Sequence, residues 1–263
     1  MQIVFGKRIT GVEINGEIGV QPLIGERFIT LFRKLKKHEN TRSVLLKVDS
    51  GGGTVIDSDA IYQGVADLVQ EKPVVSYVSG ICASGAYLAV CPSTKIVAMP
   101  SAIVGSIGVI SQNLNMATFF DKLGLKVYSV KRGKLKEAGT PYRKPKREET
   151  ESIQKLVDEI YADFTLKVKL HRPINQERIE QIATGEVFTA RHAQQLGLID
   201  SLGTYYDAVK DAMNYGNLKK EKVKFVKPKK TWGERLSMTS KLQSIILNTL
   251  SDLNKPKLKM KYI

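Results

Sequence analysis

The sequence predicts an α/β protein of parallel βαβ units, its sheet covered by helices on both sides. Two observations predict the class. Short apolar strands alternate with amphipathic helical stretches between residues 8 and 213, the order that builds parallel sheets. The two oddest local features, "DSGGG" (49–53) and Ser84, each follow a strand, and open α/β sheets bind their ligands beyond the carboxyl ends of strands.

The elements follow in order. "RITGVEINGEI" (8–18) alternates and contains an Asn-Gly turn, so it reads as a strand or hairpin. "ERFITLFRKLKKH" (26–38) places Phe28, Ile29, Leu31, Phe32 and Leu35 at helical spacing. "RSVLLKVDS" (42–50) is an apolar strand running into three glycines, and a helix follows over "DSDAIYQGVADLVQ" (57–70). The strand "KPVVSYVSG" (72–80) leads to the small-residue run around Ser84, and "TKIVAMP" (94–100) is the next strand. After a glycine-rich corner, "GSIGV" (105–109), a short helix is predicted over 116–124 and a strand over "KVYSVKRG" (126–133). A long amphipathic helix spans about 146–170, with Ile153, Leu156, Val157, Ile160 and Phe164 on one face. Smaller helices cover 174–183, 190–197 and 205–213, and no internal repeat is visible.

A chain of 263 residues, 42% hydrophobic and 25% charged, has the composition of an ordinary globular protein. No apolar run approaches the ~18–20 residues that cross a bilayer, and the N-terminus shows no signal pattern, so a cytoplasmic protein, or a fragment from which an anchor was cut, is expected. Cys82 and Cys91 lie in apolar surroundings and read as a reduced, buried pair. The net charge of +15 is uneven: from Lys219 onward, 13 Lys and Arg face three acids. The chain therefore divides into a body, 1–215, and a basic tail, 216–263. Nucleic acid is an unfavoured partner for so mildly basic a body; the tail is where an electrostatic partner would dock.

Gly51, Gly52 and Gly53 join a strand to a helix. Three consecutive glycines cost conformational entropy. A tight turn explains them, and so does a need for exposed N–H groups. The chain has neither a phosphate loop nor the acidic residue of a dinucleotide fingerprint at this turn; an oxyanion hole remains open, provided a nucleophile is near. Ser84 is the candidate, against the plainer reading of a small residue at a helix start. A serine nucleophile needs a base. His38, His171 and His192 supply it poorly, because the first is distant in the chain and the others stand in charged, solvated-looking surroundings. Lysine can serve when burial makes its amine neutral, and the segment "YSVKRGKLKEAGTPY" (128–142) offers Lys131, Lys134 and Lys136. As residue types alone, each of these is better read as a surface charge than as a catalytic base.

Five segments in order, "VDSGGGTVIDSDAI", "VVSYVSGICASGAYLAV", "AIVGSIGVI", "VKRGKLKEAGTPYRKPKREE" and "GEVFTARHAQQLGLIDSLG", resemble the bacterial signal peptide peptidase A family. These are Ser/Lys endopeptidases with a spiral of βαβ units shared with crotonases and the Clp protease subunit. The resemblance runs from about residue 10 to 213. It implies Ser84 as nucleophile and, as the last lysine of "KRGKLK", Lys136 as general base. It also implies oxyanion donors at the amides of Gly52 and Gly85. The sequence departs from the family at Gly51, where proline is usual, and at Glu186, where arginine is usual. It also shows no N-terminal anchor.

The expected activity is therefore hydrolysis of extended apolar peptides, such as remnant signal peptides or membrane-derived segments, with no metal or organic cofactor. Two other readings share the fold: an acyl-CoA enzyme of crotonase type, which usually carries carboxylates near its oxyanion hole, and a scaffold without catalysis. A homo-oligomer is expected. In the tail, "TWGERLSMTSKLQSIILNTLSDL" (231–253) gathers Trp232, Leu236, Leu242, Ile245, Ile246, Leu250 and Leu253 largely on one helical face between lysine clusters. This is the pattern of a helix lying on an anionic membrane or docking on a neighbouring protomer.

Overall fold

Ile9, Val12 and Ile14 of β1 (Arg8–Asn15) and Val44, Leu45, Leu46 and Val48 of β2 (Thr41–Ser50) are completely buried. Burial of consecutive residues means that both faces of these strands are covered, as in the middle of a parallel sheet. The computed structural model describes residues 6–21 and 23–229 and the backbone of 260–262. It falls into two units: residues 1–109, 161–229 and 261–263 form one, and residues 110–160 and 230–260 the other.

In the first unit, α1 (Gly25–Lys37) lies between β1 and β2, and the short β3 (Gly53–Thr54) opens α2 (Val55–Val69). Thr54 caps α2 by accepting the Asp57 N–H at 3.3 Å, and Asp57 in turn accepts the Gly25 N–H at 2.9 Å. These bonds tie the glycine turn to the starts of two helices. Then come β4 (Val74–Ala83), the six-residue α3 (Gly85–Val90), β5 (Lys95–Ala98) and β6 (Ile103–Gly105).

β7 (Ile110–Ser111) and α4 (Ala117–Lys122) belong to the second unit; α5 (Arg147–His171) begins there and ends in the first. The chain closes the first unit with α6 (Gln176–Ile182), β8 (Val187–Thr189), α7 (Ala190–Gln195), β9 (Ser201–Leu202), α8 (Tyr205–Tyr215) and β10 (Val223–Val226). The backbone of a last strand, β11 (Met260–Tyr262), pairs antiparallel with β3.

The main sheet runs β10-β1-β2-β4-β5-β9 with every pair parallel. β4 changes neighbours along its length. Its first half pairs with β5 and its second half with β6, which pairs antiparallel with β8. The change coincides with a register shift against β2 between Val48 and Ser50. There the Asp49 carboxylate accepts the Ile81 N–H at 3.0 Å. Paired there with β6, β4 continues to Ala83, past Gly80 where the sequence pattern placed its end. On one face, α8 presents Ala208, Val209 and Ala212 to Ile9, Leu45, Val75 and Val97. Phe28, Phe32, Ile61, Val65 and Leu68 of α1 and α2 are also fully buried or nearly so.

Most predicted elements are present within a few residues of their expected bounds. The segment 8–18 forms no hairpin: β1 takes parallel partners on both sides instead. Residues 126–133 are not a strand. Val127, Tyr128 and Val130 are exposed, and a strand without a neighbour for its N–H and C=O groups gains nothing over a solvated loop. β10 lies inside the segment read as tail and extends the sheet beside β1. The amphipathic stretch 231–253 lies outside the described residues. Among the described residues, no helix is long and apolar enough to cross a membrane.

Candidate active site

β4 delivers Ser84 to the junction with α3 at φ 54° and ψ −124°. A non-glycine residue held at positive φ is strained, by about 1–3 kcal/mol. The strain is maintained by the surroundings: the Ser84 N–H donates to the Gly105 carbonyl at 2.7 Å, and its carbonyl accepts the Leu88 N–H at 3.0 Å. Every residue of α3 is buried, and Tyr87 anchors the helix by donating its hydroxyl to the Leu198 carbonyl at 2.9 Å. Ser84 itself is fully buried. Its Oγ has no hydrogen-bond partner among the described residues, a condition costing about 1–3 kcal/mol that folded proteins rarely tolerate without a use.

The glycine turn meets this junction. Gly52 has φ +101°, and a methyl group on it would meet the Gly85 nitrogen at 2.8 Å and the Ser84 Cβ at 2.9 Å. Neither the conformation nor the space admits a side chain. Gly53 is as tightly placed, since a methyl group there would overlap the Ile18 carbonyl. Gly85 is the first residue of α3, where backbone N–H groups have no partner within the helix. The Gly52 N–H donates to Ser50 Oγ at 3.2 Å, and Ser50 donates in turn to the Gly16 carbonyl at 2.6 Å. Sequence reasoning passed over Ser50; its only signal was its place at the head of the glycine run. The hydroxyl steadies a turn that lacks proline at Gly51.

Lys136 belongs to the second unit, on a turn following α4, and is exposed there. Its neighbour Glu137 gathers the loop: Lys131, Ser129 and Tyr142 donate to its carboxylate, and Arg143 donates to its carbonyl at 3.2 Å. The hydrogen bonds from Lys131 and Ser129 hold the Glu137 carboxyl down at about 2. Arg143 also forms a two-pronged pair with the buried Glu149, at 2.6 and 2.9 Å. That pair, with the Lys146 N–H, holds Glu149 at about 2 as well. The same unit contains a cavity of about 230 Å3 bordered by Asn113, Asn115, Thr140, Arg143 and Ile153. Of the predicted site residues, the first unit brings Ser84, Gly85 and Gly52 together, and Lys136 stands in the other unit.

His171, Cys82 and Cys91 are held in structural surroundings. His171 is half-buried rather than solvated, bonded through Nε2 to the Tyr62 hydroxyl at 2.9 Å, and burial lowers its pKa. Cys82 and Cys91 are free, buried thiols whose pKa burial pushes up, the reverse of what a reactive thiolate needs. Among the described residues, no three His, Cys, Asp or Glu side chains cluster as metal ligands.

Comparison with known proteins gives this arrangement a context. Residues 66–219 match the profile of Peptidase family S49. A protein of Methanocaldococcus jannaschii named as a protease is 39% identical over 73% of this chain and 61% of its own length. A Synechocystis protein, likewise named as a protease, is 35% identical over 82% of this chain and 77% of its own. An Enterococcus faecium protein named signal peptide peptidase SppA is 31% identical over 82% of this chain and 64% of its own. The chain thus spans less than two thirds of the first and third of these relatives. The chain belongs to Peptidase family S49, the signal peptide peptidase A family, and shares its Clp/crotonase-like α/β class.

Proposed function

We propose that the chain is a serine endopeptidase in which Ser84 is the nucleophile, Lys136 the general base, and the amides of Gly52 and Gly85 the oxyanion hole. The observation that carries the reading is the Ser84 hydroxyl: buried, without a partner among the described residues, on strained backbone, and packed against the two glycines. Neutral Lys136 takes the Ser84 proton as Oγ bonds to the peptide carbonyl carbon, and the carbonyl electron pair becomes the oxyanion. The C–N bond then breaks, and Lys136 returns its proton to the leaving amine. Water, deprotonated by the same amine, hydrolyses the acyl-enzyme and restores Ser84. Because the Gly52 N–H is engaged by Ser50 Oγ, the oxyanion takes over a donor that a hydroxyl occupies in the free protein.

The role also requires that Lys136 lose solvent, which a bound peptide or a neighbouring protomer would bring about. Extended apolar peptides such as remnant signal peptides or membrane-derived segments are the proposed substrate class. A fluorophosphonate probe tests the reading: it should label Ser84 covalently, and Ser84→Ala should abolish both labelling and peptide cleavage while leaving the thermal transition in place. Labelling elsewhere, or a Ser84→Ala protein that still cleaves peptides, would overturn it.

A further inference from the structure

Glu13 of β1, Lys47 of β2 and Tyr77 of β4 stand side by side, in register across three neighbouring strands. They lie on the sheet face that α8 covers, and α8 begins only at Tyr205. A cavity of about 430 Å3 opens there, bordered by these three residues and by Met99, Tyr205 and Phe225. This falls within the range of small-molecule sites, roughly 300–1,000 Å3.

The walls are fixed. Tyr205 meets Tyr77 edge-on with ring centres 5.9 Å apart, and the Tyr77 hydroxyl donates to Met99 Sδ at 3.2 Å. Phe225, on the edge strand β10, lies across β1 only because Gly11 is opposite it: a methyl group there would meet the ring at 2.7 Å. Within these aromatic walls are two half-buried charges of opposite sign, Glu13 and Lys47. Neither carries an ion pair or side-chain hydrogen bond with a described residue. Partly buried lysines elsewhere in this unit are taken up, Lys95 by Asp211 at 2.7 Å and Lys167 by Asp59 and Asp163. A ligand with an ammonium and a carboxylate a few ångströms apart, and an apolar side chain, would complement both charges and the walls.

The geometry points to this cavity as a binding site for an apolar or aromatic α-zwitterion, a free amino acid or dipeptide, with its ammonium on Glu13, its carboxylate on Lys47 and its side chain against Tyr77, Tyr205 and Phe225. The inference stands on the first unit alone and does not depend on the peptidase reading.

Calorimetric titration of the full chain with L-phenylalanine, which contains no peptide bond to cleave, tests it. Phenylalanine should bind, and N-acetylphenylalanine and phenylalaninamide should each bind about tenfold more weakly or worse. Glu13→Gln should remove the penalty for acetylation and keep that for amidation; Lys47→Met should do the reverse. Thermal transitions close to that of the parent show that both variants are folded. Absence of binding up to roughly 10 mM, or equal binding of all three compounds, would overturn the assignment. Equal binding would mark the patch as an apolar surface for another protein. Affinities unmoved by both substitutions would place the ligand elsewhere.

Discussion

The Gly85 amide nitrogen lies so close to Gly52 that a methyl group on the latter would meet it at 2.8 Å. These residues are 33 positions apart in sequence, and their approach joins the glycine turn to the start of α3. Gly52→Ala must push that junction apart and also hold alanine at φ near +101°. It should cost about 1–3 kcal/mol of stability and, if the two amides hold the oxyanion, about 10²–10³ in kcat. Urea midpoints and peptide-cleavage rates check the two effects separately. Gly51→Ala, where nothing lies within 4 Å, should leave both nearly unchanged.

The three lysines after α4 should separate in activity. All three are exposed, and Lys131 is ion-paired with Glu137. Lys136→Ala should lower kcat/KM by about 10²–10⁴, the usual loss for a positioned base. Lys134→Ala should be near neutral. With a lysine base the rate should climb on the alkaline side, because only the neutral amine accepts a proton; a profile flat between about pH 5 and 9 would assign the proton to another group.

Acid should loosen the second unit. Glu137 and Glu149 titrate at about 2 in the folded chain against an ordinary 4.5. The unfolded chain binds these protons first, so the stabilisation is full above about pH 4.5 and is lost as pH falls toward 2. Amide hydrogen exchange of residues 137–150 should therefore quicken across that window. Glu149→Gln, which breaks the two-pronged pair with Arg143, should cost about 1–3 kcal/mol at neutral pH and flatten the dependence. An unchanged profile would show that other carboxylates carry it.

Assembly should cover part of the second unit. Tyr128 and Val130 are almost wholly exposed, with Val127 and Leu125 about half exposed beside them; such patches mark contact surfaces. Light scattering at micromolar concentration should give a multiple of the protomer mass, and Val130→Asp should reduce it. A monomer with full activity would contradict this.

The stretch 231–253 between its lysine clusters should bind vesicles containing anionic lipid, more weakly at high salt, since each lysine near such a surface adds about 1 kcal/mol. Deleting residues 227–263 should abolish co-sedimentation. If the shortened protein still binds, or the whole one never does, the stretch serves assembly instead.

Local pattern carried much of the fold. Apolar spacing at 3.6 located α1 and α5, and the apolar strands around Leu45 and Val75 announced a sheet buried on both faces. Pattern failed where partners decide. "KVYSVKRG" (126–133) has strand composition but finds no neighbour, while β10 has a short, lysine-containing sequence yet joins β1. β4 runs beyond Gly80 because β6, from a later part of the chain, pairs with Ile81–Ala83.

The candidate site divides in the same way. By itself the sequence determined which residue types were on hand: a serine after a strand, a glycine run after another, lysines on a loop, and five ordered segments of one family. Only the tertiary structure decided that Ser84 is strained, fully buried and without a hydrogen-bond partner among the described residues, that Gly52 and Gly85 meet beside it, and that Ser50 holds the Gly52 amide. The reason is physical: propensity and hydrophobic period act over a few residues, whereas burial, strain and hydrogen-bond satisfaction depend on atoms that the parallel ladder brings together from distant parts of the chain.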